Sequence, residues 1–155
     1  MTQMLLFVYF LFSAFVAEQK PDYEQLAVEH FFLNALPENY PDLKSVEFNP
    51  RTDTSLYIGI VMTCKHWEEE TKKKIYDQLP EKSRSLRISE SGIKIKKVRN
   101  WSNRLNIAVS PSRQVGNKHY VSISAYKKLR FVDHYIFEFN QEGRIIDICK
   151  TSEVI

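Results

Sequence analysis

Between Leu86 and Lys150 the chain runs almost without interruption in segments where apolar residues alternate with polar ones, the spacing that sends successive side chains to opposite faces of a β-strand. The runs are Leu86 to Ser89, Ile93 to Val98, Arg104 to Ser110, Lys118 to Lys128, Phe131 to Asn140 and Arg144 to Lys150. The breaks at Ser91-Gly92, Asn100 to Asn103, Pro111 to Asn117 and Gln141-Glu142-Gly143 are short enough for hairpin connections. This half of the chain therefore reads as an antiparallel meander, and the rest must pack against it.

Upstream the pattern changes. Asp22 is placed to cap a helix, with Gln25 three residues on, and a wide apolar face continues to Leu36 before Pro37. A helix over 22–36 is expected, ended by the proline. Two β-patterned runs follow, Leu43 to Asn49 and Leu56 to Cys64, separated by the turn-rich Pro50-Arg51-Thr52-Asp53-Thr54, and they read as a hairpin. In that reading Leu56, Ile58, Ile60, Met62 and Cys64 form a buried strand face. A second helix is expected over 67–79, with Trp67, Thr71, Ile75 and Leu79 as its inner stripe and Glu68/Lys72, Glu69/Lys73 and Glu70/Lys74 as solvated pairs. The expected fold is α+β: a curved antiparallel meander packed on an N-terminal helix, with a second short helix on the surface. Leu105, Ile107 and Val109 together with Val121, Ile123 and Ala125 should face the first helix.

The 155 residues suit one domain. Met4 to Ala17 is an uncharged apolar run, and Glu18-Gln19-Lys20 ends it abruptly. It has the length of a signal-peptide core and is shorter than the ~20 residues that cross a bilayer as a helix. Residues 1–17 are therefore expected to be a signal peptide or a short membrane anchor, with a single α+β domain over 18–155. The Met-Thr-Gln start lacks Lys and Arg, and Phe15 is bulky for a cleavage site. The expected location is extracytoplasmic, periplasmic or secreted, with anchoring by residues 4–17 as the alternative. Only two cysteines are present, Cys64 and Cys149, which could form one bridge in an oxidising compartment or remain buried thiols.

Charge is the uneven property. From Glu81 to Arg130 there are thirteen Lys or Arg against two acids, a net +11, whereas the remaining residues carry nine basic and seventeen acidic side chains. Such a block can present a positive surface to an anionic lipid or glycan, with Lys94, Lys96 and Lys97 as candidate contacts. It can equally solvate the outer face of a sheet and discourage edge pairing. Nucleic acid is disfavoured as a partner, since no recognised nucleic-acid-binding motif accompanies the charge.

Catalytic signatures are sparse. No glycine-rich phosphate loop, nucleophile elbow or dinucleotide fingerprint is present, so no cofactor is expected, and the four histidines lack metal-ligand spacing. Cys64 and His66 lie two apart, enough for a thiolate with a base or for half a metal site, although a core cysteine beside a polar histidine explains the pair as well. Asp133 shares a strand face with Phe131, Tyr135, Phe137 and Phe139. A carboxyl among aromatic rings would have a raised pKa suited to proton transfer, which makes Asp133 the candidate catalytic group and Tyr135 and Phe137 candidate ligand contacts. Asn100-Trp101-Ser102 fits a glycosylation acceptor.

The closing segment His134-Tyr135-Ile136-Phe137-Glu138-Phe139-Asn140, followed by Gly143-Arg144-Ile145-Ile146, resembles the Phe-x-Phe, Gly, Ile ending of the cystatin-like and nuclear-transport-factor-like α+β superfamily. The order of elements is similar to that group. The resemblance implies a curved sheet around a helix and leaves the activity open among isomerases, dehydratases and non-catalytic binding domains. The leading expectation is an exported, non-catalytic module that binds a ligand or a protein, with a homodimer through the sheet as one arrangement it could take. The alternatives are a small lyase or isomerase using Asp133, and an envelope-associated protein that lays its basic strands on an anionic surface.

Overall fold

The structure, a computed structural model, describes residues 20–56, 59–88, 92–98, 104–127 and 131–154. The apolar leader, Ile58 and the Asn100-Trp101-Ser102 acceptor lie outside the described residues.

The first helix starts where the sequence places it. The carboxylate of Asp22 accepts the Gln25 amide at 3.1 Å and caps α1 (Tyr23–His30). The helix does not stop at Pro37. A single π turn (Phe31–Ala35) widens the coil, the Leu36 amide reaches back five residues to the Phe31 carbonyl, and α2 (Leu36–Asn39) follows. This places Pro37 in the first turn of a new α segment, where a missing N–H breaks no bond. The helical path thus gains three residues beyond Leu36 and delivers Asn39 and Tyr40 to the end of the sheet.

Among the described residues seven strands form one mixed sheet: β1 (Ser45–Phe48), β2 (Lys94–Lys96), β3 (Leu105–Val109), β4 (Arg113–Val115), β5 (Lys118–Lys127), β6 (Phe131–Phe139) and β7 (Ile145–Val154). The order is β2-β1-β3-β5-β6-β7, with β4 also paired to β5. From β3 onward every pairing is antiparallel, as the alternation implies. The other end of the sheet differs, because β1 inserts between β2 and β3 and runs parallel to both. The hairpin expected from Leu43 to Cys64 therefore does not form. In its place, Gly59–Thr63 is a 3-10 turn, with Ile60 and Cys64 buried and Met62 exposed. Leu56, Ile60 and Cys64 are also spaced by four, so the same run satisfies a one-sided helical cover as well as a strand. Leu86 forms no strand, and nearby only Ser85 makes a single bridge to Arg51.

Both faces of the central strands are covered. On one, Leu105, Ile107 and Val109 with Val121, Ile123 and Ala125 meet the first helix through Val28, Phe31 and Leu36, as the alternation indicates. On the other, Ile60, Val61, Trp67 and Ile75 pack on Tyr120 and Ile136. The second cover includes α3 (Glu69–Asp77), shorter at both ends than the expected helix, so that Leu79 lies outside it and exposed. Of the three anticipated pairs on α3, Glu70 and Lys74 meet at 2.6 Å, while Lys72 is buried and turns to Glu69 and to the Met62 carbonyl. Cys64 and Cys149 are disulfide-bonded, with Cα atoms 5.9 Å apart and a sequence separation of 85. Closing a loop of that length removes about 4 to 5 kcal/mol of chain entropy from the unfolded state. The bond fastens the smaller core to the outermost strand.

The β6–β7 turn is locked to the start of α1. Gly143 has φ +79°, and a Cβ there would lie 2.9 Å from both Leu26 Cδ1 and Pro21 Cβ. The Tyr23 hydroxyl donates to the Gln141 carbonyl at 2.9 Å in the same turn. Gly116, in the β4–β5 turn, also has positive φ (+62°) but open space around it. Gly116→Ala should therefore lose only ~1 kcal/mol of left-handed backbone preference. Gly143→Ala should lose clearly more, on the order of 2–4 kcal/mol, since packing adds to backbone strain. Urea unfolding of the two variants measures the difference, and equal losses would contradict the contact.

Candidate functional site

The extension of the first helix past Pro37 decides what stands at one end of the sheet. Asn39 ends α2, the Tyr40 amide still bonds to the Leu36 carbonyl at 2.9 Å, and a tight turn through Pro41 and Asp42 leads into β1. At this end β1 begins beside the start of β3 and the finish of β5. The result is an open groove of about 530 Å³ with Tyr40, Pro41, Leu43 and Leu105 as apolar wall and Lys44, Arg104 and Lys127 as cations. Asp42 is the one acid on its lining among the described residues, and Arg104 is also paired with buried Glu47 at 3.5 Å. The helix C-terminus adds about half a negative charge, which Lys150, bonded to the Asn39 side chain, offsets. With Arg104 matched by Glu47, Lys44 and Lys127 against Asp42 still leave the described lining net positive.

Behind Tyr40 lies Asp133. Its carboxylate accepts from the Tyr40 hydroxyl and from Ser152 Oγ, with Lys150 close by. Burial pushes the Asp133 carboxyl up, but the bonds from Ser152 and Tyr40 and the charges of Lys150 and His134 outweigh it and hold the pKa below the ordinary carboxylate range. The expectation of a raised pKa is thus corrected. The aromatic neighbours inferred from alternation are present, but two hydroxyls and an ammonium, none of them adjacent in sequence, solvate the carboxylate. Asp133 ties the end of the helix to β6 and β7. The Tyr40 hydroxyl is shifted upward, first by burial and then by its bond to Asp133.

The remaining candidates are not brought together. Tyr135 and Phe137 sit in the main core at 2% and 0% exposure, Tyr135 edge-on to Phe31 and Phe137 edge-on to His30. Burial pushes the Tyr135 hydroxyl up to about 12. Lys94 and Lys96 lie on β2 and Lys97 just beyond it, at the opposite edge of the sheet from β7 and separated from β6 by β1, β3 and β5. Cys64 is disulfide-bonded, and His66 turns from it to Asp147 at 2.6 Å. Trp67 Nε1 donates to the same oxygen at 2.5 Å. Among the described residues no group of three or more His, Cys, Asp or Glu is arranged to hold a metal.

Two arrangements were not visible in sequence. Ser124 Oγ lies 2.8 Å from His134 Nδ1, and His134 Nε2 lies 3.1 Å from Glu153, a serine–histidine–carboxylate chain across β5, β6 and β7. Ser124 is fully buried, so no substrate reaches its hydroxyl. The signal for it is β-register, which places Ser124 opposite His134 and cannot be known until the strands are paired. At the far end of the sheet a second depression of about 590 Å³ is lined by Lys20, Tyr23, Gln114, His119, Gln141 and Glu142. The His119 ring stacks on Tyr23 at 3.9 Å, and burial, with Lys20 nearby, lowers its pKa. Lys20 is already paired with Glu81 at 2.6 Å, so this depression offers no surplus of charge.

No family model, curated protein or solved structure matches this chain. The site must be judged on its own chemistry.

The depressed pKa of Asp133 fixes a pH dependence. A carboxyl whose folded pKa lies below its unfolded value stabilises the fold above the unfolded value of ~3.9, and the contribution fades as pH falls through the lower folded value. Asp133→Asn should cost about 1–3 kcal/mol at pH 7, from the lost charge-assisted bonds to Tyr40 and Ser152. The difference from the unmodified protein should shrink below about pH 4. Denaturation at several pH values tests this, and a pH-independent difference would contradict it.

Proposed function

We propose that this chain is a non-catalytic binding module that takes up an amphipathic anion in the groove at the end of the first helix. The observation that carries the reading is the pairing of an apolar wall, Tyr40, Pro41, Leu43 and Leu105, with a cationic rim of Lys44, Arg104 and Lys127. A ligand with an apolar body and a phosphate or carboxylate head matches both parts. Asp133, on which an acid–base enzyme would depend, already serves Tyr40, Ser152 and Lys150, which supports binding over proton transfer. A location outside the cytoplasm is part of the proposal. It draws support from the apolar run Met4 to Ala17 and from the Cys64–Cys149 bond, a cross-link typical of oxidising compartments.

Titration calorimetry with octyl phosphate tests the reading, with octyl glucoside as the uncharged comparison. Octyl phosphate should bind and octyl glucoside should not, and affinity should fall as salt rises. Lys44→Glu and Lys127→Glu should each weaken binding roughly tenfold, as expected when a nearby cation becomes an anion at a partly exposed site. Equal binding of the two ligands, or no effect of either substitution, would contradict the proposal. The compartment has its own test: protein purified without reductant should show no thiol reactive to a maleimide after denaturation, and two thiols after reduction.

A further inference from the structure

The groove opens on a longer edge whose composition is visible only once the strands are in register. Lys94 stands opposite Ser45, which follows Lys44, and Val46 stands opposite Leu105, which follows Arg104. Lys127 stands opposite Phe131, and Phe131 opposite Val154. Neighbouring strands lie ~4.8 Å apart, so this edge, from β2 to β7, spans roughly 24 Å. Among the described residues, four cations run along it, one of them, Arg104, paired with Glu47, with Asp42 beside them, and two apolar side chains follow. Phe131 is 56% exposed and Val154 72% exposed, although other aromatic residues of β6 are buried. An exposed aromatic–aliphatic pair continuing a row of cations is the composition of a surface that meets anionic lipid headgroups and the outermost acyl region together.

We infer that this edge docks on an anionic lipid bilayer, with Phe131 and Val154 entering the interface and Lys44, Lys94, Arg104 and Lys127 facing the headgroups. The inference rests on reading the groove as an anion site and names the source of that anion: the head of a membrane lipid, presented where the groove opens. A soluble acidic glycan would satisfy the cations but would leave Phe131 and Val154 without a partner. The apolar pair therefore favours the bilayer.

Vesicle co-sedimentation of the full chain provides the test, using phosphatidylcholine vesicles with and without phosphatidylglycerol. The apolar run Met4 to Ala17 can take the chain onto any vesicle, so the quantity read is the excess on anionic over neutral vesicles. That excess should be tenfold or more at low salt and vanish at high salt. Phe131→Ser should remove most of it while leaving octyl phosphate affinity unchanged, because Phe131 does not line the groove and serine adds no charge opposite Lys127. Lys127→Glu should reduce both. Circular dichroism of each variant confirms that an exposed substitution has left the fold intact. If octyl phosphate binds but no anionic excess is seen, the groove reading stands and the bilayer inference falls. An anionic excess unaffected by Phe131→Ser would overturn the bilayer in favour of a soluble polyanion. Failure of octyl phosphate to bind, together with loss of the vesicle excess in Phe131→Ser, would overturn the groove reading alone.

Discussion

Strands β5 and β6 are buried on both faces over most of their length, and the rest of the molecule answers that demand. A half-buried sheet needs one cover, but this one needs two. The first helix supplies the larger, through Val28, Phe31 and Leu36 on the central strands. The smaller comes from the segment that holds Ile60, Trp67 and Ile75. The sheet face on this side carries buried Ser122, Ser124 and His134 besides Tyr120 and Ile136, so hydrophobic burial alone stabilises it less. The Cys64–Cys149 bond and the two side chains converging on Asp147 hold it to β7. Trp67 and His66 keep the Asp147 carboxyl below its ordinary range despite burial.

The same two-sided burial separates what the sequence showed from what it concealed. Alternation located β3, β5, β6 and β7, and it identified the inner residues of β3 and β5, because those signals are local. Val132 and Ile136, on the second face of β6, were a legible sign that this face is buried too, and Asp133 with its aromatic neighbours drew attention to the wrong side. The two partners of β1 were not legible, since parallel pairing joins residues 49 and 59 positions apart and leaves no turn signature between them. Pro37 misled because a π turn can absorb a proline at the start of the next segment. For Asp133, Ser152 and Tyr40 lie 19 and 93 positions away, and their hydroxyls, with Lys150 and His134, reverse the direction that burial alone would give.

The candidate groove was out of reach for the same reason. Lys44, Arg104 and Lys127 come from three segments, and only the sheet order brings them to one edge. The compositional clue, a basic block from Glu81 to Arg130, was present in sequence and pointed to Lys94, Lys96 and Lys97. In the folded chain Lys94 joins the basic edge, whereas Lys96 shares the face of buried Glu47 one strand away. A basic block is thus better read by strand ends than by strand faces. The helix that passes Pro37 completes the site, because Asn39 and Tyr40 close the groove and are themselves braced by Lys150 and Asp133.

Amide chemical-shift mapping during an octyl phosphate titration addresses the central claim most directly, that this groove is where an anionic ligand settles. The largest shifts should fall on Tyr40, Lys44, Ser45, Arg104, Leu105 and Lys127, all of which line it. Shifts centred on Tyr23, Gln114, His119 and Gln141, at the opposite end of the sheet, would contradict the account.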